Sequence, residues 1–180
     1  MDLEAESRAE LASGRSGEAA PSRSSARKGS RLARQARALE PAVEVSGIVR
    51  RGEGRGRAIG FPTANLETPA DLSLENGVYA AKVGLGAEPP SRRALVHLGV
   101  RPTFGPGPRR LEAHLIDFAG ALEGARLRVL VVARLCDERR WGSAGALARH
   151  IAECRDAVRQ LLGGGDSRTR PGTASDQPKA

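Results

Sequence analysis

A run of glycine and arginine residues, followed by a Pro-Thr-Ala-Asn segment, is the part of the chain best suited to bind a phosphate ligand. It directly follows a predicted strand and reads RGEGRGRAIGFPTANL over residues 51–66. Glycines let backbone N–H groups converge on an anion without hindrance from a Cβ atom. Arg55 and Arg57 add positive charge. The glycines by themselves fit a phosphate loop and a flexible surface hairpin equally well.

Thr63 and Asn65 add possible metal ligands to this run. They stand two positions apart, so on an extended segment both side chains point the same way. A hydroxyl and an amide oxygen side by side are reasonable hard ligands for Mg²⁺. The Walker A pattern GxxxxGK[ST] is absent, and Gly54-x-Gly56 does not continue into GxGxxG, so neither common nucleotide loop is present.

Glu112 is an acidic residue within a predicted strand. It stands in the alternating segment LEAHLIDF at 111–118, with His114 on the same face. Taken alone, a solvent-facing glutamate on a half-exposed strand is the preferred interpretation. Tyr79 and Phe104 could line an apolar ligand slot, but packing in the core explains them equally well.

The elements that must position these residues are mostly strands. Period-two or Val-rich apolar patterns between Gly/Pro turns predict strands at Val43–Val49, Gly77–Leu85, Ala94–Val100, Leu111–Phe118 and Ala125–Leu135. Five or so strands without intervening helices indicate an antiparallel barrel or sandwich. After Trp141 the apolar spacing changes to 4, 3, 4 and 3 at Leu147, Ile151, Cys154, Val158 and Leu161. This spacing predicts a C-terminal helix that Ser143 caps and Gly163 ends.

The distribution of bulky side chains sets the expected domain limits. All five aromatic residues of the 180 lie between Phe61 and Trp141. We expect one packed domain at residues 43–162, a disordered or partly helical extension at 1–42, and a disordered tail at 163–180. Residues 31–40 are good helix formers, so the sequence is compatible with a short helix there.

Charge and cysteine usage limit the expected partners. The chain carries 29 Lys plus Arg against 21 Asp plus Glu, a net charge of +8. The excess is spread out, and five aromatic residues supply few platforms for stacking bases. No secretory signal or apolar run of membrane-spanning length is visible, so we expect a cytoplasmic protein. Cys136 and Cys154 lack metal-ligand spacing and only three histidines occur, so no zinc site is expected.

The run GRGRAIGFPTANL resembles the riboflavin kinase (flavokinase) family, including the kinase module of bacterial bifunctional riboflavin kinase/FMN adenylyltransferases. Similar segments follow in order: GVYA at 77–80, LVHLGVRPTFG at 95–105 and LEAHLIDF at 111–118. The resemblance covers residues 43–162. It implies a mainly β fold, a six-stranded antiparallel Greek-key barrel with a C-terminal helix. It also implies transfer of the ATP γ-phosphate to the ribityl 5′-hydroxyl of riboflavin, giving FMN and ADP.

The same resemblance implies roles for individual residues. Thr63 and Asn65 would hold the Mg²⁺ that bridges the phosphates, and Glu112 would be the base facing the ribityl hydroxyl. The loop would cradle the phosphates through Gly54, Arg55, Gly56, Arg57 and Gly60. The implied partners are ATP/ADP and riboflavin/FMN, with no nucleic acid and no membrane, and we expect a monomer.

Three positions depart from the family pattern. The family usually has Asn at the position of His97, Tyr at the position of Glu123, and Arg at the position of Cys136. These departures motivate a second hypothesis, a non-catalytic or weakly active flavin- or nucleotide-binding module of the same fold. A third, a basic barrel that binds nucleic acid, rests on the charge and the Gly/Arg run. No HxGH-type motif is present, so FAD synthesis is not expected.

Overall fold

The computed structural model describes residues 30–69, 72–100 and 109–163. Within these ranges the chain forms six strands, two short helices and one long helix. The elements are α1 (Arg31–Gln35), β1 (Arg37–Ile48), α2 (Arg55–Ala58), β2 (Ala64–Glu67), β3 (Gly77–Leu85), β4 (Arg92–Gly99), β5 (Arg110–Leu115), β6 (Arg126–Cys136) and α3 (Ala144–Leu161). None of the helices in the described ranges is long and apolar enough to span a membrane.

The six strands make one antiparallel sheet in the order β1-β6-β3-β4-β5-β2. This arrangement and the C-terminal helix confirm the predicted fold class. The word barrel applies only loosely, because no ladder in the described ranges joins the edge strands β1 and β2. An isolated bridge beyond the end of β1 links the two edges instead, where the Arg50 N–H donates to the Asn65 carbonyl at 2.8 Å.

Alternation along the strands separates the two faces of the sheet. On β5, Leu111, Ala113 and Leu115 are at most 5% exposed and join the larger hydrophobic core. Glu112 and His114 point to the opposite face and are partly buried. Opposite directions follow from the period of two, since successive Cβ atoms leave a strand on opposite sides.

Helix α3 covers part of that second face. Its Cys154, Ala157 and Val158 are at most 1% exposed and pack against strand residues that include Ala80 and Leu95. The central strands are therefore apolar on both faces. Small alanines in β3 and β6 let the helix approach the sheet closely.

The ends of two elements differ from the sequence-based expectation. β1 begins at Arg37 rather than Val43, and α1 ends at Gln35. The helix stops there because Ala36 already has an extended ψ of 138° and the chain continues directly into β1. Strand β2 was expected only as an extended segment and pairs with β5. Phe104, residues 1–29 of the predicted extension at 1–42 and residues 164–180 of the predicted tail at 163–180 lie outside the described residues.

The start of α3 follows the predicted cap. The Ser143 side chain accepts a hydrogen bond from the Ala146 N–H at 3.2 Å. The helix ends at Leu161, and the Leu162 N–H donates to the Val158 carbonyl.

Removing this cap should destabilise the protein. We expect Ser143→Ala to lower the free energy of unfolding by about 1 kcal/mol, because a helix N–H loses its acceptor. Ser143→Asp, which keeps an acceptor, should remain within about 0.5 kcal/mol of the parent. Urea denaturation followed by circular dichroism measures both variants. Equal losses for alanine and aspartate would show that the cap is not the source of the stability.

Candidate functional site

Asn65 and Glu112 lie directly opposite each other on neighbouring strands. The β2–β5 ladder pairs Asn65 with Glu112 and Ala64 with Ala113. Directly opposed residues of an antiparallel pair share a face, with Cβ atoms about 4.5–5.5 Å apart. The register of this ladder therefore brings together an amide and a carboxylate that the sequence places far apart.

His97 extends the same row across a third strand. It is the partner of Glu112 on the β4 side, so Asn65, Glu112 and His97 run across β2, β5 and β4 on one face. The His97 Nε2 lies 3.2 Å from the Glu138 Oε1. The sequence singled out His97 only as a departure from a family pattern, and its place beside Glu112 follows from strand register.

The glycine run lies against Asn65 through Gly52. A Cβ atom at position 52 would stand 2.3 Å from the Asn65 Nδ2, far inside van der Waals contact. The Asn65 side chain is covered by this backbone and is only 5% exposed. Gly52 was not among the predicted site residues, because the argument from glycine spacing began at Gly54.

The rest of the run forms a turn of helix. Gly54 and Gly60, which flank α2, have left-handed φ values of 74° and 85°. The N–H groups of Ala58, Ile59, Gly60 and Phe61 all donate to carbonyls of residues 54–57. These four amides are engaged within the loop, whereas the sequence suggested an open Gly54–Gly60 cradle. The role of this loop in binding phosphate stays a prediction.

Gly56 allows the loop to fold back on the Pro-Thr-Ala-Asn segment. A Cβ atom there would lie 2.3 Å from the Phe61 carbonyl oxygen and 3.5 Å from the Thr63 Cγ2. Arg55 and Arg57 are exposed on the outer side of the turn, and Arg55 pairs with Glu53 at 2.7 Å. Gly56 thus brings the turn into contact with partly buried Thr63, while the two arginines stay exposed.

His114 anchors the same segment to the sheet. Its Nδ1 lies 2.9 Å from the Pro62 carbonyl oxygen, which can only accept, so the histidine donates. Its ring meets Phe61 edge-on at 5.4 Å, and Arg155 of α3 lies 5.9 Å from the Phe61 ring centre. An open pocket of about 390 Å³ lies between this segment and α3. The sequence suggested an ordinary surface histidine.

Tyr79 belongs to the core rather than to a ligand slot. It is 1% exposed, and its hydroxyl donates to the Glu75 carbonyl at 2.6 Å. Arg134 donates to the same hydroxyl at 3.0 Å. Burial is the largest influence on the pKa of Tyr79 and raises it above its ordinary value.

A second cluster of reactive side chains forms where β6 meets α3. The His150 Nε2 lies 3.6 Å from the Cys136 sulfur and 3.4 Å from the Cys154 sulfur. A hydrogen bond from Cys154, with a further contribution from His150, lowers the pKa of Cys136 to about 6. The same thiol pair and burial raise the pKa of Cys154. No motif spacing in the sequence indicated this cluster, because the fold alone joins a strand end to a helix.

A methyl group at position 52 should move the Asn65 side chain. We expect Gly52→Ala to shift the Asn65 side-chain amide resonances and to cost about 1–3 kcal/mol of stability, as overpacking of a close contact does. Gly142→Ala is the matched control, since a Cβ atom there would have no neighbour within 4 Å. Two-dimensional ¹H–¹⁵N NMR with urea denaturation measures both. Unchanged Asn65 resonances in Gly52→Ala would contradict the proposed contact.

Comparisons with known proteins identify the family of the chain. The family model described as Flavokinase: Riboflavin kinase matches residues 39–162. The bifunctional riboflavin kinase/FMN adenylyltransferase of Escherichia coli (strain K12) is 37% identical over 120 residues, which are 66% of this chain and 38% of that protein. An RNA-binding riboflavin kinase of Bacillus subtilis (strain 168) is 31% identical over 108 residues, 59% of this chain and 46% of that protein.

A solved structure shows the same fold. The crystal structure of riboflavin kinase from Trypanosoma brucei aligns with a TM-score of 0.54 and 18% identity, covering 71% of this chain and 82% of that one. The chain spans less than half the length of the two curated relatives named above. The family model covers the chain from within β1 to the end of α3, including Asn65 and Glu112, and on this ground the chain belongs to the riboflavin kinase family.

Proposed function

We propose that this chain is an ATP-dependent riboflavin kinase, which transfers the γ-phosphate of ATP to the ribityl 5′-hydroxyl of riboflavin and releases FMN and ADP. The observation that carries the proposal is the pairing of Asn65 with Glu112. It puts an amide oxygen donor and a carboxylate on one face, next to Thr63 and the glycine loop. Phosphoryl transfer depends mainly on such positioning and on charge neutralisation.

Thr63 and Asn65 are the proposed ligands on the phosphate side. Their hydroxyl and amide oxygens are hard donors, which fits Mg²⁺ better than a softer metal. The Arg50 N–H fixes the Asn65 backbone through its carbonyl, and the close approach of Gly52 packs against the side-chain amide. Mg²⁺ bound there would neutralise negative charge on the β- and γ-phosphates. Arg55 and Arg57, on the outer side of the loop, would add positive charge near the same phosphates.

Glu112 is the proposed general base. Its carboxylate accepts the proton of the ribityl hydroxyl while that oxygen attacks the γ-phosphorus and the bond to the ADP oxygen breaks. The partly buried position on β5 supports this role, because the apolar core on the other face of the strand keeps the backbone rigid. A fixed carboxylate avoids the entropic cost of orienting a mobile one.

The departures at His97, Glu123 and Cys136 define the competing hypothesis of a non-catalytic flavin- or nucleotide-binding module. Glu123 lies exposed in the turn before β6, and Cys136 lies in the thiol cluster. Of the three, His97 stands beside Glu112. Tight binding of riboflavin and ADP without formation of FMN would favour the binding module over the kinase.

The absence of nucleic-acid binding, a monomeric state and a cytoplasmic location stay predictions. One relative carries "RNA-binding" in its name, so binding assays should include single-stranded RNA at two salt concentrations. An affinity that falls steeply with salt would indicate phosphate contacts by the basic residues. Size-exclusion chromatography with light scattering tests the oligomeric state.

Removing the carboxylate should stop the chemistry without unfolding the protein. We expect Glu112→Gln to lower kcat by about 10²–10⁴-fold, the usual contribution of a general base. Glu67→Gln on the adjacent strand is the matched control, because its side chain is 73% exposed and pairs only loosely with Arg50 at 3.7 Å. FMN production from ATP, Mg²⁺ and riboflavin measures both. No FMN from the parent protein at saturating substrates would refute the kinase proposal.

The hydroxyl of Thr63 should matter more than its methyl group. We expect Thr63→Val, which keeps the shape, to raise the KM for MgATP and to lower kcat/KM by about 10–100-fold, equivalent to roughly 1.4–2.8 kcal/mol. Thr63→Ser should keep most of the activity because it retains the oxygen donor. Steady-state kinetics over a range of Mg²⁺ concentrations provides the readout. Equal activity of the valine and serine variants would remove Thr63 from the proposed ligand set.

A further inference from the structure

Cys136, His150 and Cys154 converge at the junction of β6 and α3. Cys136 is the last residue of β6, and His150 and Cys154 are one helical turn apart on α3. The two sulfurs and one imidazole nitrogen all lie within 4.8 Å of one another. They include both cysteines of the chain and one of its three histidines.

The distances agree with those of a tetrahedral metal site. Zinc bonds of about 2.3 Å to sulfur and about 2.0 Å to nitrogen place a nitrogen and a sulfur ligand about 3.5 Å apart at the tetrahedral angle. The two observed nitrogen–sulfur distances are 3.6 Å and 3.4 Å. Little movement is therefore needed to close the three ligands around one ion.

Hydrogen bonding alone explains the arrangement less well. The same Nε2 atom faces both sulfurs, and in one tautomer this atom either donates one proton or accepts one. One shared cation at the centre satisfies the nitrogen and both thiolates together. Trp141 packs against the ring, with its centroid 4.5 Å from that of His150 and an interplanar angle of 31°.

We propose that Cys136, His150 and Cys154 form a binding site for a thiophilic divalent cation, with Zn²⁺ the best match and water in the fourth position. Both cysteines bind as thiolates, so their two protons pass to solvent and the bound ion carries no net charge with its protein ligands. No change of oxidation state is involved. This inference does not depend on the proposed kinase activity.

A bound ion would link the sheet to the helix that covers it. Cys154 is 1% exposed and Cys136 is partly buried, so the ion would sit at the inner edge of α3. The segment after Cys136 carries Glu138, which contacts His97 in the row beside Glu112. A bound ion would fix the start of this segment and thereby reduce its motion next to the candidate active site.

Cobalt titration of the full chain tests the proposal. Protein without an affinity tag is reduced, stripped with a chelator, and titrated with Co²⁺ and then Zn²⁺. We expect one equivalent of Co²⁺ to give thiolate charge-transfer and tetrahedral d–d absorption, and to quench Trp141, the single tryptophan. Zinc should displace cobalt, protect both thiols from a disulfide reagent, and raise the Tm by about 5 °C or more at saturation.

Variants of the ligand residues distinguish metal binding at this site from adventitious binding elsewhere. Cys136→Ser and His150→Gln should each weaken Co²⁺ binding by at least about 10-fold. The thiolate charge-transfer band should weaken in Cys136→Ser, which removes one of the two thiolates. Glu153→Gln is the control, an exposed carboxylate beside Cys154 on the same helix. Cys136→Ser at the strand end keeps the test informative if the helix variant fails to fold. Thiols that react at the same rate with and without zinc, or cobalt binding that survives both variants, overturn the proposal.

Discussion

The pairing of β2 with β5 is the constraint on which the candidate site depends. It places Asn65 opposite Glu112 and extends through the β4–β5 ladder to His97. A slip of one residue would turn every side chain of β2 to the other face. Apolar burial prevents such a slip, because Ala64 and Leu66 on the same strand are at most 4% exposed in the core. The packing of hydrophobic residues on one face therefore determines which polar residues meet on the other.

The second constraint is how closely the backbone of the glycine loop approaches the residues against which it packs. Gly52 and Gly56 each leave no room for a Cβ atom, since the first lies against the Asn65 amide and the second against the Phe61 carbonyl. The loop can then fold onto the β2 edge of the open sheet, where the Arg50–Asn65 bridge takes the place of a missing ladder. His114 and Arg155 hold Phe61 from the sheet and from α3. The loop is thereby tied to the same two layers that form the core.

Helix α3 links the candidate active site with the thiol cluster. Its apolar face packs on the sheet, its Arg155 lies over Phe61, and its His150 and Cys154 face the end of β6. Movement of this helix relative to the sheet would disturb both regions. A cation at the cluster would oppose that movement.

The sequence by itself determined the strand and helix pattern, the Ser143 cap, and the residues Thr63, Asn65 and Glu112 as candidates. The element pattern, the cap, Thr63 and Asn65 follow from local periodicity and from one motif, which neighbouring residues express without tertiary context, and Glu112 follows from the resemblance to the family. Tertiary structure alone decided the start of β1 at Arg37, the open edge of the sheet, the contact of Gly52 with Asn65, and the helical turn inside the glycine loop. It also decided that Cys136 meets His150 and Cys154, because a contact between a strand end and a distant helix depends on three-dimensional packing and leaves no regular spacing in the chain.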